Sequence, residues 1–324
     1  MSKPELSIII PMHGEDLAFL EATIESVKQT VDVTYEIICV DDFSSTPIQI
    51  EGVKMLRHDK HKGVGQAFDT GVTEAKSDNL FLMGSDIRFL PNNWASKSIS
   101  EADKYPKAIT CTTCIGINKD DMDIESRRNR SRRNGATILV FHDHKAHPKK
   151  NAKFRNILEC QWLPINKRDS KESFEIPSVL GAAYVMKKEW YNYIDGWKLH
   201  RSWGTLEPMI SLKSWLFGGS CRTAPDIETG HIFKSDGTHQ TPLHHLTYNK
   251  ILVATLLFDD YHAQRLIQFL NQGDGQVVRG KKMFEGVKYE VMKKKDEYAE
   301  KIVMSPREFC NKFEIDFREE VVSL

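Results

Sequence analysis

Three carboxylates in the first third of the chain stand where short apolar runs give out: Asp41 and Asp42 at the end of EIICVDD, and Asp86 just after NLFLMG. A carboxylate accepts hydrogen bonds without donating any, and it is a hard ligand for a divalent cation. Further along come Glu207 in WGTLEP, His231 in GHIF, and five arginines, Arg127, Arg128, Arg130, Arg132 and Arg133, within ESRRNRSRRNG. What such groups do depends on the elements that bring them together.

LSIIIP (residues 6–11) and EIICVDD (36–42) are continuous apolar runs, as strands buried on both faces require. Between them Leu17, Leu20, Ile24 and Val27 recur at helical spacing, which gives a βαβ unit. VKMLRH as a strand, Gly65 to Ala75 as a helix and NLFLMG as a strand repeat the pattern. Alternation of this kind predicts a mainly parallel sheet whose ligand site lies at the carboxyl ends of the strands. Asp41, Asp42 and Asp86 all fall at that edge, and FLPNNW is expected to turn the chain away so that Asp86 faces the cleft. From about residue 236, HHLTYNKILVATLLFDDYHAQRLIQFL reads as one long amphipathic helix ending at NQGDG, followed by a charged helix and a last one opened by Ser305 and Pro306.

The 45 basic and 45 acidic residues balance, so no global field draws the chain to nucleic acid or an anionic membrane. The arginine cluster, continued by Lys145, Lys149, Lys150, Lys153 and Arg155, is then either a solvated loop or a local surface for a polyanion such as nucleic acid or an anionic glycan. With no charged-then-apolar leader before Leu6 and no apolar run long enough to span a bilayer, the expectation is a soluble, intracellular, cytoplasmic protein. Cys111 and Cys114 form a CxxC inside the strand-like AITCTTCIGI with no second pair nearby, so the six cysteines read as structural thiols. A dinucleotide fold would place G-x-G-x-x-G after the first strand, where PMHGED stands instead. The same segment lacks the Gly-rich basic loop of a nucleotidyltransferase.

LSIIIPMHGEDLAFLEATIESVKQT with YEIICVDDFSS resembles the start of family 2 glycosyltransferases of the GT-A fold, and HKGVGQAFDTGVTEAKSDNLFLMGSDIRFLPNNW resembles their next segment. IPSVLGAAYVMKKEWYNYIDGW, SWGTLEPMISLKSWLFGGS and GHIF are similar to the catalytic region of polypeptide N-acetylgalactosaminyltransferases. The resemblance runs from about Leu6 to Phe233. It implies an α/β GT-A fold, a Rossmann-like, mainly parallel sheet with a helical C-terminal extension. It also divides the chain into a nucleotide-sugar-binding half (1–100), an acceptor and catalytic half (101–235) with a basic insertion at 125–155, and a lid loop with the helical extension (236–324).

The implied activity is transfer of a hexose or pentose from a UDP-sugar to a hydroxyl of a saccharide, a protein or a hydroxylated base in nucleic acid. The resemblance gives Asp42 the uracil imide N–H, flanked by Pro11 and His13, brings Lys62, Gly63 and Gly65 near the diphosphate, and makes Gly181 and Ala182 the floor of the sugar pocket. Asp86 stands at the Asp-x-Asp metal motif, whose first carboxylate is replaced by Met83 or Ser85, and His231 supplies a second ligand to Mn2+ or Mg2+. Trp203 and Glu207 match a Trp-Gly-x-Glu element that is one residue longer here. Glu207 would take the acceptor proton in an inverting enzyme or orient the acceptor in a retaining one, and likeness to the N-acetylgalactosaminyltransferases favours retention. KSDGTHQTP resembles a lid over the donor. The departure at Met83 and Ser85 keeps an alternative open, a non-catalytic module that binds a nucleotide sugar or a polyanion.

Overall fold

The continuous apolar runs become the centre of one sheet. In a computed structural model of the chain, the described residues are 3–14, 17–118, 124, 132–140, 157–163, 172–180, 183–233, 242–270 and 275–317. Their strands are β1 (Leu6–Met12), β2 (Tyr35–Asp41), β3 (Lys54–Arg57), β4 (Asn79–Met83), β5 (Ile87–Phe89), β6 (Ala108–Ile117), β7 (Arg132–Arg133), β8 (Ala136–Leu139), β9 (Glu159–Trp162), β10 (Phe174–Glu175), β11 (Ala183–Lys187) and β12 (Ser220–Ile232). The main sheet runs β10-β12-β6-β11-β4-β1-β2-β3, with β5 added to β12 and β7 to β6, while β8 and β9 pair separately. Strands β1 to β4 are parallel, β11 lies antiparallel between β4 and β6, and β12 is parallel to β6.

Register sets the site. Met12 pairs with Asp41 and Ile9 with Leu82, so the carboxyl ends of β1, β2 and β4 open on one edge. Side-chain alternation then builds two core layers. Ile8 and Ile10 pack with Leu20, Ile24 and Trp94 of the helices α1 (Leu17–Thr30) and α3 (Trp94–Lys104). Ile9 packs on the other face with Phe68 and Val72 of α2 (Val64–Glu74). Each such side chain contributes about 1.5–3 kcal/mol by leaving water, so a charge on either face of β1 would break the layering.

The long C-terminal helix expected from the sequence is two helices, Leu243–Leu257 and Asp260–Phe269. Phe258 is extended, and the Asp259 side chain accepts from the His262 amide at 2.9 Å, so the aspartate starts a new helix. The charged helix likewise divides into Gly275–Glu285 and Lys288–Ala299. The last helix, Pro306–Lys312, opens as expected, on a capping box between Ser305 and Glu308. Between Asp86 and the turn at LPNNW, Ile87–Phe89 pairs antiparallel with β12, placing Ile87 opposite His231.

All six cysteines are free. Burial pushes the Cys114 thiol up to about 12, which suits an inert core residue on β6. Among the described residues no helix is long and apolar enough to cross a membrane.

Candidate active site

Asp42 follows β2 and is 2 % exposed. Its Oδ1 accepts from the Lys62 amide at 2.8 Å and lies 2.7 Å from His58 Nδ1. Its Oδ2 accepts from the Gly63 amide at 2.7 Å and lies 3.3 Å from His61 Nε2. Asp41 accepts from the Ser44 amide at 2.8 Å and pairs with Arg57. Both aspartates therefore fasten loops to the mouth of the sheet, and a base reaching Asp42 would share its oxygens, which offer about four acceptor directions in all. Pro11 is buried in β1. His13 is exposed, with Nδ1 2.6 Å from the Asp42 carbonyl and its ring 4.3 Å from that of His61. Partial desolvation holds the His61 pKa below its ordinary value, assisted by His13 and His58 and opposed by Asp42.

The glycines of HKGVG have a packing reason. A Cβ on Gly63, whose φ is +105°, would fall 2.2 Å from the Ser202 amide nitrogen, and one on Gly65 would fall 2.7 Å from Trp197 Cβ. The loop thus docks on residues 197–206. Lys62 is exposed, with Nζ 3.7 Å from Asp59.

That partner segment carries local backbone strain. Leu199, Ser202 and Thr205 have φ of 68°, 57° and 63°, unusual for residues with a Cβ, and Gly204 has 94°. The fully buried Asn249 holds the segment: its Oδ1 accepts from the Arg201 amide at 3.1 Å, and its Nδ2 donates to the carbonyls of Arg201 and Gly204 at 2.8 and 3.0 Å. Tyr248 donates to the Leu199 carbonyl at 2.9 Å. Burial depresses the pKa of His200 to about 4, so the ring that contacts the Gly204 carbonyl at 2.8 Å is neutral near pH 7. Strain held by buried partners concentrates where geometry serves a function. The segment presents Trp203, 49 % exposed, and leads into Glu207 in the first turn of the helix Leu206–Leu216. Asn249→Ala is expected to destabilise the fold by about 2–3 kcal/mol, because it strands buried backbone groups, and chemical denaturation checks this.

Glu207 is partly buried, and Tyr184 on β11 donates to its Oε1 at 3.2 Å. Burial raises the Glu207 pKa above the ordinary carboxylate range; the nearby charge of Glu159 adds to this, and the Tyr184 hydrogen bond opposes it.

Asp86 and His231 meet across the β5–β12 pairing, with Oδ1 and Nε2 3.5 Å apart. The Ile232 amide donates to the Asp86 carbonyl at 3.2 Å, fixing the backbone between them. The His231 Nδ1 is buried without a hydrogen-bond partner, and its ring meets Phe233 edge-on at 4.4 Å. Met83 is fully buried in the core, and the Ser85 carbonyl accepts from Thr23 Oγ1 at 2.7 Å, so Asp86 supplies the carboxylate at this strand end. An oxygen and an imidazole nitrogen this close fit neighbouring positions around a divalent ion with bonds of about 2.0–2.3 Å.

Of the five arginines expected to form either a solvated loop or a polyanion surface, two are described, and both find partners within the chain. Arg132 and Arg133 form β7 on β6 and are partly buried. Arg132 Nη1 lies 3.5 Å from Glu228, and the Arg133 guanidinium stacks over Trp162 and Phe233 at 5.2 and 4.9 Å. Arg127, Arg128 and Arg130, the pocket residues Gly181 and Ala182, and residues 234–241 of the lid-like segment lie outside the described residues. Sequence reasoning missed Tyr184, His58 and Asn249, whose partners are distant in the chain.

Residues 7–162 match the family model "Glycosyl transferase family 2". The chain is 25 % identical over 297 residues to polypeptide N-acetylgalactosaminyltransferase 10 of Rattus norvegicus, covering 86 % of this chain and 47 % of that protein. It is 25 % identical over 248 residues to polypeptide N-acetylgalactosaminyltransferase 14 of Homo sapiens, covering 74 % of this chain and 42 % of that protein. It therefore spans about half the length of these relatives. A crystal structure of GalNAc-T7 with UDP, GalNAc and Mn2+ superposes with a TM-score of 0.68 at 18 % identity, over 96 % of this chain and 56 % of that one. The central sheet, the match over residues 7–162 and this superposition make the chain similar in sequence to family 2 glycosyltransferases and to the polypeptide N-acetylgalactosaminyltransferases, with the GT-A fold.

Proposed function

We propose that this chain transfers a sugar from a UDP-sugar to a hydroxyl of a saccharide or protein, assisted by a divalent metal and with retention at the anomeric carbon. The observation that carries this reading is the meeting of Asp86 and His231 at the strand edge that also carries Asp42. The solved relative named with UDP, GalNAc and Mn2+ supports the donor class and the ion.

In this reading the uracil N3–H shares Asp42 Oδ2 with the Gly63 amide, in the place of His61 Nε2, with Pro11 and His13 beside the base. Lys62 faces the diphosphate. Asp86 and His231 would hold Mn2+ or Mg2+, which when bound offsets the charge growing on the leaving diphosphate. Glu207, held by Tyr184, orients the acceptor hydroxyl, and Trp203 lines its approach. The acceptor oxygen bonds to the anomeric carbon as the bond from that carbon to the diphosphate breaks. The hydroxyl proton passes to the departing phosphate oxygen, so the new bond forms on the face that the diphosphate leaves. Donor recognition is tested by thermal unfolding with UDP, GDP and ADP in Mn2+. A nucleotide at a hundredfold its Kd stabilises by about 2.7 kcal/mol, so UDP is expected to raise the Tm well above the other two. Equal shifts for all three would overturn the donor assignment.

A further inference from the structure

We propose that His13, His61 and Asp42 form a binding site for a transition-metal dication such as Zn2+, built on ligands distinct from Asp86 and His231. His13 follows β1, Asp42 follows β2 and His61 lies in the loop after β3, so parallel pairing brings one residue from each strand end to a single point. One ligand atom from each of the three lies within 4.8 Å of the others. The 3.3 Å between His61 Nε2 and Asp42 Oδ2 is close to the edge of a tetrahedron whose metal–ligand bonds are about 2.0–2.1 Å.

The groups behind the ligands are arranged as metal sites require. His13 Nδ1 sits 2.6 Å from the Asp42 carbonyl, which can only accept, so Nδ1 carries the proton and the lone pair is on Nε2. The Asp42 carboxylate is buried and fixed by the amides of Lys62 and Gly63 and by His58, which is itself braced by Thr70 Oγ1 at 2.8 Å. His13 and His61 are exposed, so an ion can enter from solvent. Two imidazoles with one carboxylate suit Zn2+ or Co2+ better than Mg2+, which prefers oxygen. A link to the donor rests on the function proposed above: if Asp42 also receives the uracil, this ion and UDP exclude one another.

The test is isothermal titration of chelator-treated protein with Zn2+, together with the visible absorption of Co2+ as a report of nitrogen ligation. Asp86→Ala is expected to keep one Zn2+ site. His13→Ala and His61→Ala, made in that background, are expected to weaken it at least about tenfold while the Tm of the metal-free protein holds, because both side chains are exposed. Zn2+ binding unchanged by both histidine substitutions would overturn the site and leave the donor reading untouched. Zn2+ binding that needs the histidines but ignores saturating UDP would keep the site and remove Asp42 from base recognition.

Discussion

Glu207→Gln is expected to lower kcat by about 10²-fold or more, with the KM for the UDP-sugar changed by less than about threefold, because a misplaced reacting group costs rate rather than donor binding. The carboxylate stands in the first turn of a helix, where the left-handed backbone of Thr205 and the hydroxyl of Tyr184 set its direction. Glutamine keeps the shape and can still accept from Tyr184, but it has no charge to receive the acceptor hydroxyl. Tyr184→Phe should therefore lower kcat less, by about tenfold, since it frees the carboxylate without removing it.

The pH profile supplies the sign. Burial raises the Glu207 pKa, so the ionised form is lost at a higher pH than for an ordinary glutamate. Activity is then expected to fall as pH drops through an acid limb above the usual carboxylate range, and Glu207→Gln should flatten that limb. A variant with wild-type kcat and an unchanged acid limb would leave Glu207 as a helix-terminus residue alone. Steady-state kinetics from pH 4 to 8 on one saccharide acceptor, with UDP release as the readout, separates these outcomes.

The frame of this site was legible because its determinants are local. LSIIIP and EIICVDD are buried on both faces, and their unbroken apolar character is what a central parallel strand requires. Asp42 and Asp86 stand at strand ends that the pattern itself marks, whereas Glu207 is singled out by its likeness to the Trp-Gly-x-Glu element. What was lost depends on partners far along the chain. Gly63 reads as a phosphate-loop glycine, yet the backbone that approaches it belongs to Ser202. Absence of a Cβ looks the same in sequence whether a ligand or a peptide comes close. Arg132 and Arg133 read as solvated or matched by an external polyanion because like charges repel locally, whereas Glu228 and two aromatic rings of the chain receive them. The break at Phe258 was within reach: FDDYH offers an N-cap aspartate, but the apolar periodicity on either side outweighed it.

Asp86→Ala and His231→Ala are each expected to remove about 10²- to 10³-fold of the Mn2+-stimulated transfer rate, the scale of losing one preorganised group that stabilises developing charge. The expectation follows from how little the protein supplies at this strand end. Met83 is buried in the core and Ser85 carries only a neutral hydroxyl, so neither replaces the charge of the carboxylate that the family pattern has lost. With one carboxylate and one imidazole, the remaining positions around an ion must come from diphosphate oxygens and water, which hard cations accept readily. Affinity for the ion should then depend on UDP. Titration of Mn2+, followed by its paramagnetic resonance signal, is expected to show weak binding to the free protein and binding at least about tenfold tighter with UDP present, since the diphosphate completes the shell. Both alanine variants should lose that coupling while keeping the wild-type unfolding midpoint without metal, because the backbone pairing of Ile87 with His231 does not use either side chain. Transfer that survives EDTA at the wild-type rate would return Asp86 and His231 to a packing role, and the charge on the leaving diphosphate would then have to be met by cationic side chains such as Lys62.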